Sequence, residues 1–424
     1  MNTFPADYRI YYHHNQKVNE NYNNSFFDLF CEHFKQFTSQ LTNHLHPEKR
    51  YLEHCEVDND LDRGVFIRPT FIFWLEHKFP EIIQEIDTPI PADENNVLML
   101  NWLTLFNLSD SDRDLIFGLY KGHIVIDDSF ETHALRTVAM ESLLEKMGYN
   151  LDKVTFWSNG PMKDGKYEQK HIRDIWLALQ EYGRMLNDHT RFKMPVFDDD
   201  KLLDYENKKY KVLSLNGHST FTREYMITEA IKAGMVNKEN DSTEMRYSFV
   251  EIWNKFPTDT WFEFPDRLEW IPRMLPGDAD ELWIRDRWSP SEWWEESFFN
   301  LNVETNCNWI NYDQRMLTEK WMKNIVYLSP GFNVGDYHGY EAYQKSLGFN
   351  LYENHIDRSY DSIEDFPTRM KTVLQTIKDT PMPDKKQWQM MGRIAIQNRD
   401  HFYNEFIPYL ENRFVTTLLD RTIG

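Results

Sequence analysis

Short apolar runs that alternate with amphipathic stretches dominate the hydrophobic pattern of the first half of this chain. The runs 96–102, 122–128 and 154–160 are rich in Val, Ile, Leu or Phe and have polar residues at their ends. Such runs are typical of strands that are buried on both faces of a parallel sheet. Between the last two runs, 131–147 has helical periodicity and is followed by Gly148. The pattern therefore predicts a strand–helix–strand unit.

The second half shows the same alternation. Three further apolar runs predict strands, at 210–216, 297–305 and 325–328. The stretch 219–234 has helical periodicity and ends at Gly234, a residue that commonly terminates helices. Residues 385–417 also follow a mostly helical pattern. Both halves are therefore predicted to be α/β, and a helical tail is predicted to follow them.

The charged segment 198–209 is interpreted as a linker between the two halves. A chain of 424 residues exceeds one ordinary domain, which also favours two domains. The predicted organisation has three parts: an N-terminal α/β domain at 1–200, a second α/β domain at 201–380 and a helical tail at 381–424.

Charge and cysteine content narrow the classes of function. The 68 acidic side chains exceed the 47 Lys and Arg, for a net charge of −21, which disfavours non-specific binding to nucleic acids and to anionic membranes. No apolar run approaches the roughly 18–20 residues of a membrane helix. Cys31, Cys55 and Cys307 are widely spaced, and residues 1–12 lack the pattern of a signal peptide. These features predict a cytoplasmic protein.

Tryptophan is distributed unevenly along the chain. Eight of the 14 tryptophans lie between 253 and 309: Trp253, Trp261, Trp270, Trp283, Trp288, Trp293, Trp294 and Trp309. Flat indole rings stack on sugars and bases, so this segment could contribute an acceptor platform. The alternative is that these side chains belong to a large aromatic core.

Six short motifs follow one another in the second half. In chain order they are Asn216 with Arg223, Glu304-Thr305, Thr318-Glu319-Lys320, the run 325–328 before Gly331, Gly348-Phe349, and Tyr360-Asp361 before Arg369. In this order they resemble the donor-binding domain of a group of phage and bacterial glycosyltransferases that are distantly similar to α1,3-fucosyltransferases. The resemblance covers roughly 205–375, and the first half shares only the general α/β pattern.

The resemblance implies a GT-B-like fold, in which two Rossmann-like domains flank a cleft that holds a nucleotide-sugar donor. It also implies donor contacts for six residues: Asn216, Arg223, Glu304, Thr318, Glu319 and Lys320. The resembled family carries a basic cluster after its opening strand. Here 217–222 contains no arginine, so Arg223 alone remains. Tyr360 and Asp361 are expected to be structural.

The chemistry of sugar transfer fits these residue types. The leaving nucleoside diphosphate gains negative charge, which a lysine and a helix N-terminus stabilise, as Lys320 would at the start of a helix. Glu304 or Glu319 would accept hydrogen bonds from the ribose hydroxyls. The alternative is that Thr318 only caps the helix and that Glu319 and Lys320 form an exposed charge pair.

A general base is needed if the transfer inverts the anomeric configuration. Glu131 is the first candidate because it follows the predicted strand end at Asp127-Asp128, and Asp128 is the second. His133 is also close in sequence. The alternative is that Asp128 caps the following helix and Glu131 complements its dipole. A retaining transferase would need no such base.

The sequence therefore predicts a metal-independent glycosyltransferase that uses a nucleotide-sugar as substrate and needs no cofactor. Its acceptor would be a hydroxyl group of a glycan, a protein or a hydroxymethylated DNA base. One alternative is a metal-dependent GT-A-type transferase in which Asp127 and Asp128 bind the cation. Another is a non-catalytic carbohydrate-binding protein.

Overall fold

The chain divides into two compact units in a computed structural model, and each unit is described by itself. The first comprises 1–187 with 410–424, and the second comprises 188–409. The structure describes the following residues: 9–12, 80–85, 96–101, 123–128, 141–146, 148–158, 169–171, 197–216, 221–235, 245–249, 291–304, 319–335 and 339–419.

Six parallel strands form the sheet of the first unit. They are β1 (Arg9–Tyr12), β2 (Ile83–Glu85), β3 (Asn96–Asn101), β4 (His123–Asp128), β5 (Val154–Ser158) and β6 (Gln169–His171). Their order is β2-β1-β3-β4-β5-β6, and every neighbouring pair is parallel. Short 3₁₀ helices at Pro80–Ile82 and Leu151–Lys153 lead directly into β2 and β5. The three strands predicted in this half are confirmed.

Strands β3 and β4 are the best buried part of this sheet. Consecutive side chains of β3 from 97 to 100, and of β4 from 124 to 126, are almost fully inaccessible to solvent. Because successive side chains of a strand point to opposite faces of the sheet, their burial means that both faces are covered. These strands therefore do not alternate apolar and polar residues. Residues 141–146 are helical, and Gly148 follows with φ of +69°. The described part of 131–147 therefore agrees with the predicted strand–helix–strand unit.

Four parallel strands form the sheet of the second unit. They are β7 (Tyr210–Asn216), β8 (Met245–Phe249), β9 (Ser297–Val303) and β10 (Gly331–Val334), in the order β10-β9-β7-β8. The register pairs Leu213 of β7 with Asn300 of β9, and Asn300 with Gly331 of β10. The predicted strands at 210–216 and 297–305 are confirmed.

Besides the helical residues 141–146, eight α-helices lie within the described part of the chain. They are α1 (Asp199–Leu202), α2 (Phe221–Lys232), α3 (Ser291–Glu295), α4 (Glu319–Val326), α5 (Tyr340–Ser346), α6 (Phe366–Asp379), α7 (Lys385–His401) and α8 (Ile407–Leu419). A π-helical segment, Phe402–Phe406, connects α7 to α8. Two 3₁₀ helices occur at Tyr205–Asn207 and Ser359–Ser362. Gly234 has φ of +72° just after α2, as the pattern predicted.

Aromatic side chains fill much of the core of the second unit. Trp294 stacks on Tyr327, with ring centroids 4.3 Å apart, and Trp388 packs edge-on against Phe298 at 5.4 Å. Trp293 is also buried. Two of the eight clustered tryptophans are therefore core residues, and the other six lie outside the described residues.

The run 325–328 is not a strand, and this prediction is wrong. Helix α4 ends at Val326, Leu328 has φ of +53°, and the strand begins only at Gly331. Ile325 and Leu328 are apolar because the end of the helix faces the core, where both are buried. A short apolar run cannot by itself distinguish a buried helix end from a buried strand.

The interpretation of 198–209 as a linker is also wrong, because the segment is part of the second unit. Its acidic residues have local partners: Asp198 accepts from the backbone of Lys201, and Asp204 accepts from the backbone of Glu206. Asp199 binds Arg399 at 2.6 Å. The charges that resemble a solvated linker are therefore helix caps and ion-pair partners.

The chain as a whole is an α/β protein built on two parallel sheets. Within the described residues, no helix combines the length and the apolar character that crossing a membrane requires.

Candidate functional site

Four of the predicted donor-binding residues, Asn216 among them, lie at the carboxyl edge of the second sheet. Because β7, β9 and β10 are parallel, their last residues lie along one edge, which is where α/β proteins bind ligands. Glu304 directly follows β9, and Lys320 lies in the first turn of α4. Arg223, from the first turn of α2, reaches the last residue of β9.

Glu304 is held on both carboxylate oxygens. Oε1 accepts a hydrogen bond from the Tyr340 hydroxyl at 2.7 Å, and Oε2 lies 3.6 Å from Lys320 Nζ. The residue is only 5% exposed, and its backbone N–H donates to the carbonyl of Val334 on β10. A carboxylate buried this deeply needs such partners, because an unpaired buried charge is strongly unfavourable.

Lys320 stands at a position where a cation opposes the helix dipole. The N-terminal end of a helix carries partial positive charge, so a lysine in the first turn of α4 is unfavourable unless an anion lies nearby. Glu304 supplies one such anion. The side chain of Lys320 is 14% exposed, so it retains some access to solvent. Its backbone carbonyl accepts from Asn302 Nδ2 at 3.1 Å, which ties the start of α4 to β9.

Arg223 is buried, with 1% of its surface exposed. Its Nε and Nη2 both donate to the carbonyl of Val303 at 3.3 Å. In this arrangement the guanidinium holds the end of β9, one residue before Glu304. The resemblance implies that Arg223 also contacts a diphosphate, and that expectation stays a prediction.

Asn216 ends β7 and is fully buried. Its Nδ2 donates to Ser214 Oγ at 3.2 Å, and that hydroxyl donates to the carbonyl of Leu301 on β9. The amide therefore connects the ends of β7 and β9.

Asp361 accepts hydrogen bonds from the start of α5, and Tyr360 beside it is fully buried. The Asp361 carboxylate accepts from the backbone N–H groups of Glu341 and Ala342, at 3.1 and 3.0 Å, in the first turn of α5. Burial raises the pKa of Asp361, and these two N–H groups counteract the shift by favouring the charged form. Arg369, on α6, donates to the carbonyl of Gly335 just after β10.

The remaining predicted residues are placed only in part. Glu131 and Thr318 lie outside the described residues, as do the side chains of Asp128 and Glu319. The backbone of Asp128 lies at the carboxyl end of β4, opposite Ser158 of β5. Among the side chains that the structure describes, no group of three or more His, Cys, Asp or Glu could hold a metal ion.

Tyr340 and Asn302 contribute to this edge but were not predicted from the sequence. Tyr340 donates to Glu304, and Asn302 holds the backbone of Lys320. Asn302 could have been identified from the sequence, because Asn300 and Asn302 are two residues apart and so share one face of a largely apolar strand. Tyr340 carried no such signal, since its partner is 36 residues away.

Comparison with known proteins found no match for this chain among protein-family models, curated protein sequences or solved structures. The functional argument therefore depends on the residues and their geometry.

Proposed function

We propose that this protein is a metal-independent glycosyltransferase that moves a sugar from a nucleotide-sugar to a hydroxyl acceptor. The observation that carries the proposal is the pairing of Lys320 with Glu304 at the carboxyl edge of a parallel sheet, beside the first turn of α4. A cation, a helix N-terminus and a carboxylate at one edge suit a nucleoside diphosphate. In this proposal the two units correspond to the two Rossmann-like domains of a GT-B-type enzyme.

Each residue of the edge has a role in the proposal. The Lys320 ammonium neutralises the charge that develops on the diphosphate as it leaves, together with the backbone N–H groups at the start of α4. Glu304 accepts hydrogen bonds from ribose hydroxyls. Tyr340 donates to the Glu304 carboxylate, and Arg223 holds the backbone carbonyl of Val303, the residue before Glu304.

The first unit supplies the acceptor side of the proposal. The acceptor oxygen attacks C1 of the sugar, the bond from C1 to the diphosphate oxygen breaks, and the acceptor proton passes to a carboxylate. Glu131 is the proposed base and Asp128 is the second choice. The backbone of Asp128 lies at the carboxyl end of β4, the edge at which α/β sheets bind ligands. The acceptor is a glycan, a protein or a hydroxymethylated base.

A thermal-shift screen tests the donor site. UDP, GDP, CMP and dTDP and their sugars are each added to the full chain, with and without EDTA. A ligand at about 100 times its dissociation constant stabilises the native state by roughly 2.7 kcal/mol, which raises the melting temperature by several degrees. We expect one nucleotide to give this shift in the presence of EDTA.

The matched variants are Lys320→Ala and Lys345→Ala, because Lys345 is an exposed lysine paired with Glu353 on the surface. The ligand-induced shift should disappear in Lys320→Ala and persist in Lys345→Ala, whatever either change does to the unliganded protein. A shift that requires a divalent cation would favour the metal-dependent alternative with Asp127 and Asp128. Glycan binding without any nucleotide shift would contradict the proposal and favour a carbohydrate-binding protein.

A further inference from the structure

Four buried side-chain amides form a hydrogen-bonded cluster beside β9 and β10. This amide cluster consists of Asn302 on β9, Asn324 on α4, Asn333 on β10 and Gln344 on α5. Asn302 Nδ2 and Asn324 Nδ2 both donate to Asn333 Oδ1, at 2.9 and 3.0 Å. Asn333 Nδ2 in turn donates to Gln344 Oε1 at 3.3 Å. The cluster therefore connects two strands to two helices.

The orientation of each amide follows from one group that can only accept, the backbone carbonyl of Lys320. Asn302 Nδ2 also donates to the backbone carbonyl of Lys320, which identifies the nitrogen of that amide. Asn333 must then present Oδ1 to Asn302 Nδ2, so its own Nδ2 lies towards Glu341 Oε1, at 3.4 Å. Asn324 must then present its nitrogen to Asn333, and Gln344 must present its oxygen. The outward atoms are therefore Asn324 Oδ1, an acceptor, and Gln344 Nε2, a donor.

These two outward atoms are buried and have no hydrogen-bond partner among the residues that the structure describes. Asn324 is 6% exposed and Gln344 is 1% exposed. A buried polar atom without a partner costs about 1–3 kcal/mol, so each such atom in a native protein requires an explanation. Both side chains line the same cavity.

The size of this cavity decides what it can hold. The space open to the centre of a water molecule is about 30 Å³, and its lining includes Ser329, Tyr352 and Arg358. One water needs at least about 10–15 Å³ by this measure, whereas a cavity that binds benzene measures about 150 Å³. The volume therefore suits about two waters and is too small to enclose a sugar ring or a nucleobase. The Arg358 guanidinium disfavours a cation.

We infer that this cavity is a binding site for one or two long-lived water molecules. One of them donates to Asn324 Oδ1 and accepts from Gln344 Nε2, because water is the small molecule that does both. The water completes the amide cluster and connects α4, which carries Lys320, to α5. The inference is independent of the proposed enzyme activity.

Magnetic relaxation dispersion of ¹⁷O in the full chain counts internal waters with long residence times. Gln344→Leu removes the donor and should lower that count by at least one. Gln375→Leu is the matched control, because Gln375 is an exposed glutamine whose side chain donates to Asp379 on the surface. The control should leave the count unchanged. An equal count in the native chain and Gln344→Leu would overturn the inference.

A crystal structure of the unaltered chain provides the second measurement, which does not depend on whether Gln344→Leu folds. Water density within hydrogen-bonding distance of both Asn324 Oδ1 and Gln344 Nε2 is the expected result. A dry cavity at a resolution that shows other internal waters would overturn the inference.

Discussion

Glu341 is the most deeply buried carboxyl group in the described part of the second unit. Its Oε1 accepts from the backbone of Asn333 at 2.8 Å and from Arg358 Nη1 at 2.7 Å. Burial raises the pKa of Glu341 to about 7, although the Arg358 guanidinium opposes the shift. The desolvation of the carboxylate therefore outweighs the attraction of its partner.

The raised pKa of Glu341 predicts a stability that falls as pH rises. Between about pH 4.5 and pH 7 the native state binds more protons than the unfolded state, so the free energy of unfolding decreases with pH in that window. Relative to Glu341→Gln, the native chain should lose about 1–3 kcal/mol between pH 5 and pH 7. Urea unfolding of both proteins at pH 5, 6 and 7 measures this difference.

Glu353→Gln is the control for this titration, because Glu353 is exposed and pairs only on the surface with Lys345. This variant keeps Glu341, so its stability should still fall between pH 5 and pH 7. Parallel profiles for native protein and Glu341→Gln would show that the Glu341 carboxyl does not titrate in this window.

At the level of elements, the sequence predicted the central strands but mistook the end of α4 for a strand. The consecutive apolar residues of β3, β4 and β7 identified strands because both faces of those strands are buried. The same reasoning failed at 325–328, where one buried helix end produces an equally continuous apolar run.

The candidate site was predictable only in part, for a related reason. Glu304 and Lys320 stand next to a strand end and a helix start, so their positions follow from local pattern. The hydroxyl of Tyr340 and the buried position of the Arg223 guanidinium depend on tertiary packing. No local pattern contains that information.

Two glycines that flank α5 provide a test of packing between elements. Gly348 has φ of +95°, and a Cβ at that position would lie 2.7 Å from His401 Nε2 on α7. Gly339, which precedes α5, has φ of +82° but would place a Cβ in open space. A side chain at either position would therefore strain the backbone, but only a side chain at position 348 would also contact a neighbouring residue.

We expect Gly339→Ala to lower the free energy of unfolding by about 1–2 kcal/mol, through backbone strain alone. Gly348→Ala should cost about 1–3 kcal/mol more, because His401 must also move away from its contact with Leu347 O. Chemical denaturation of both variants measures the difference. Equal losses would show that the ring of His401 moves without cost.

At the scale of the whole molecule, the first and last segments of the second unit bind each other. Trp388 Nε1, on α7, donates to the carbonyl of Leu203 at 2.7 Å, and Arg399 pairs with Asp199. Gly392 on α7 also lies against Leu203, because a Cβ atom added to Gly392 would be 3.2 Å from the Leu203 side chain. Helix α7 therefore covers one end of the core that β7 and β9 form.

A chain that ends at residue 380 should lose the cooperative unfolding of the second unit, because it lacks Trp388 and the rest of α7. Hydrogen exchange of peptides from β9, measured by mass spectrometry, should be fast in this truncated chain and slow in the full chain. A chain that ends at residue 419 retains α7 and α8 and serves as the control. Slow exchange in both truncated chains would contradict this role of α7.

The contact between Asp199 and Arg399 spans 200 residues, and this separation has a consequence during translation. A ribosome that adds about 5–20 residues per second needs roughly 10–40 s to produce the partner of Asp199. Phe298 is synthesised 90 residues before Trp388, which packs against it, so the nascent chain exposes Phe298 for roughly 5–18 s of that interval. Chaperones that bind nascent chains would meet this surface before the helix that buries it has been synthesised.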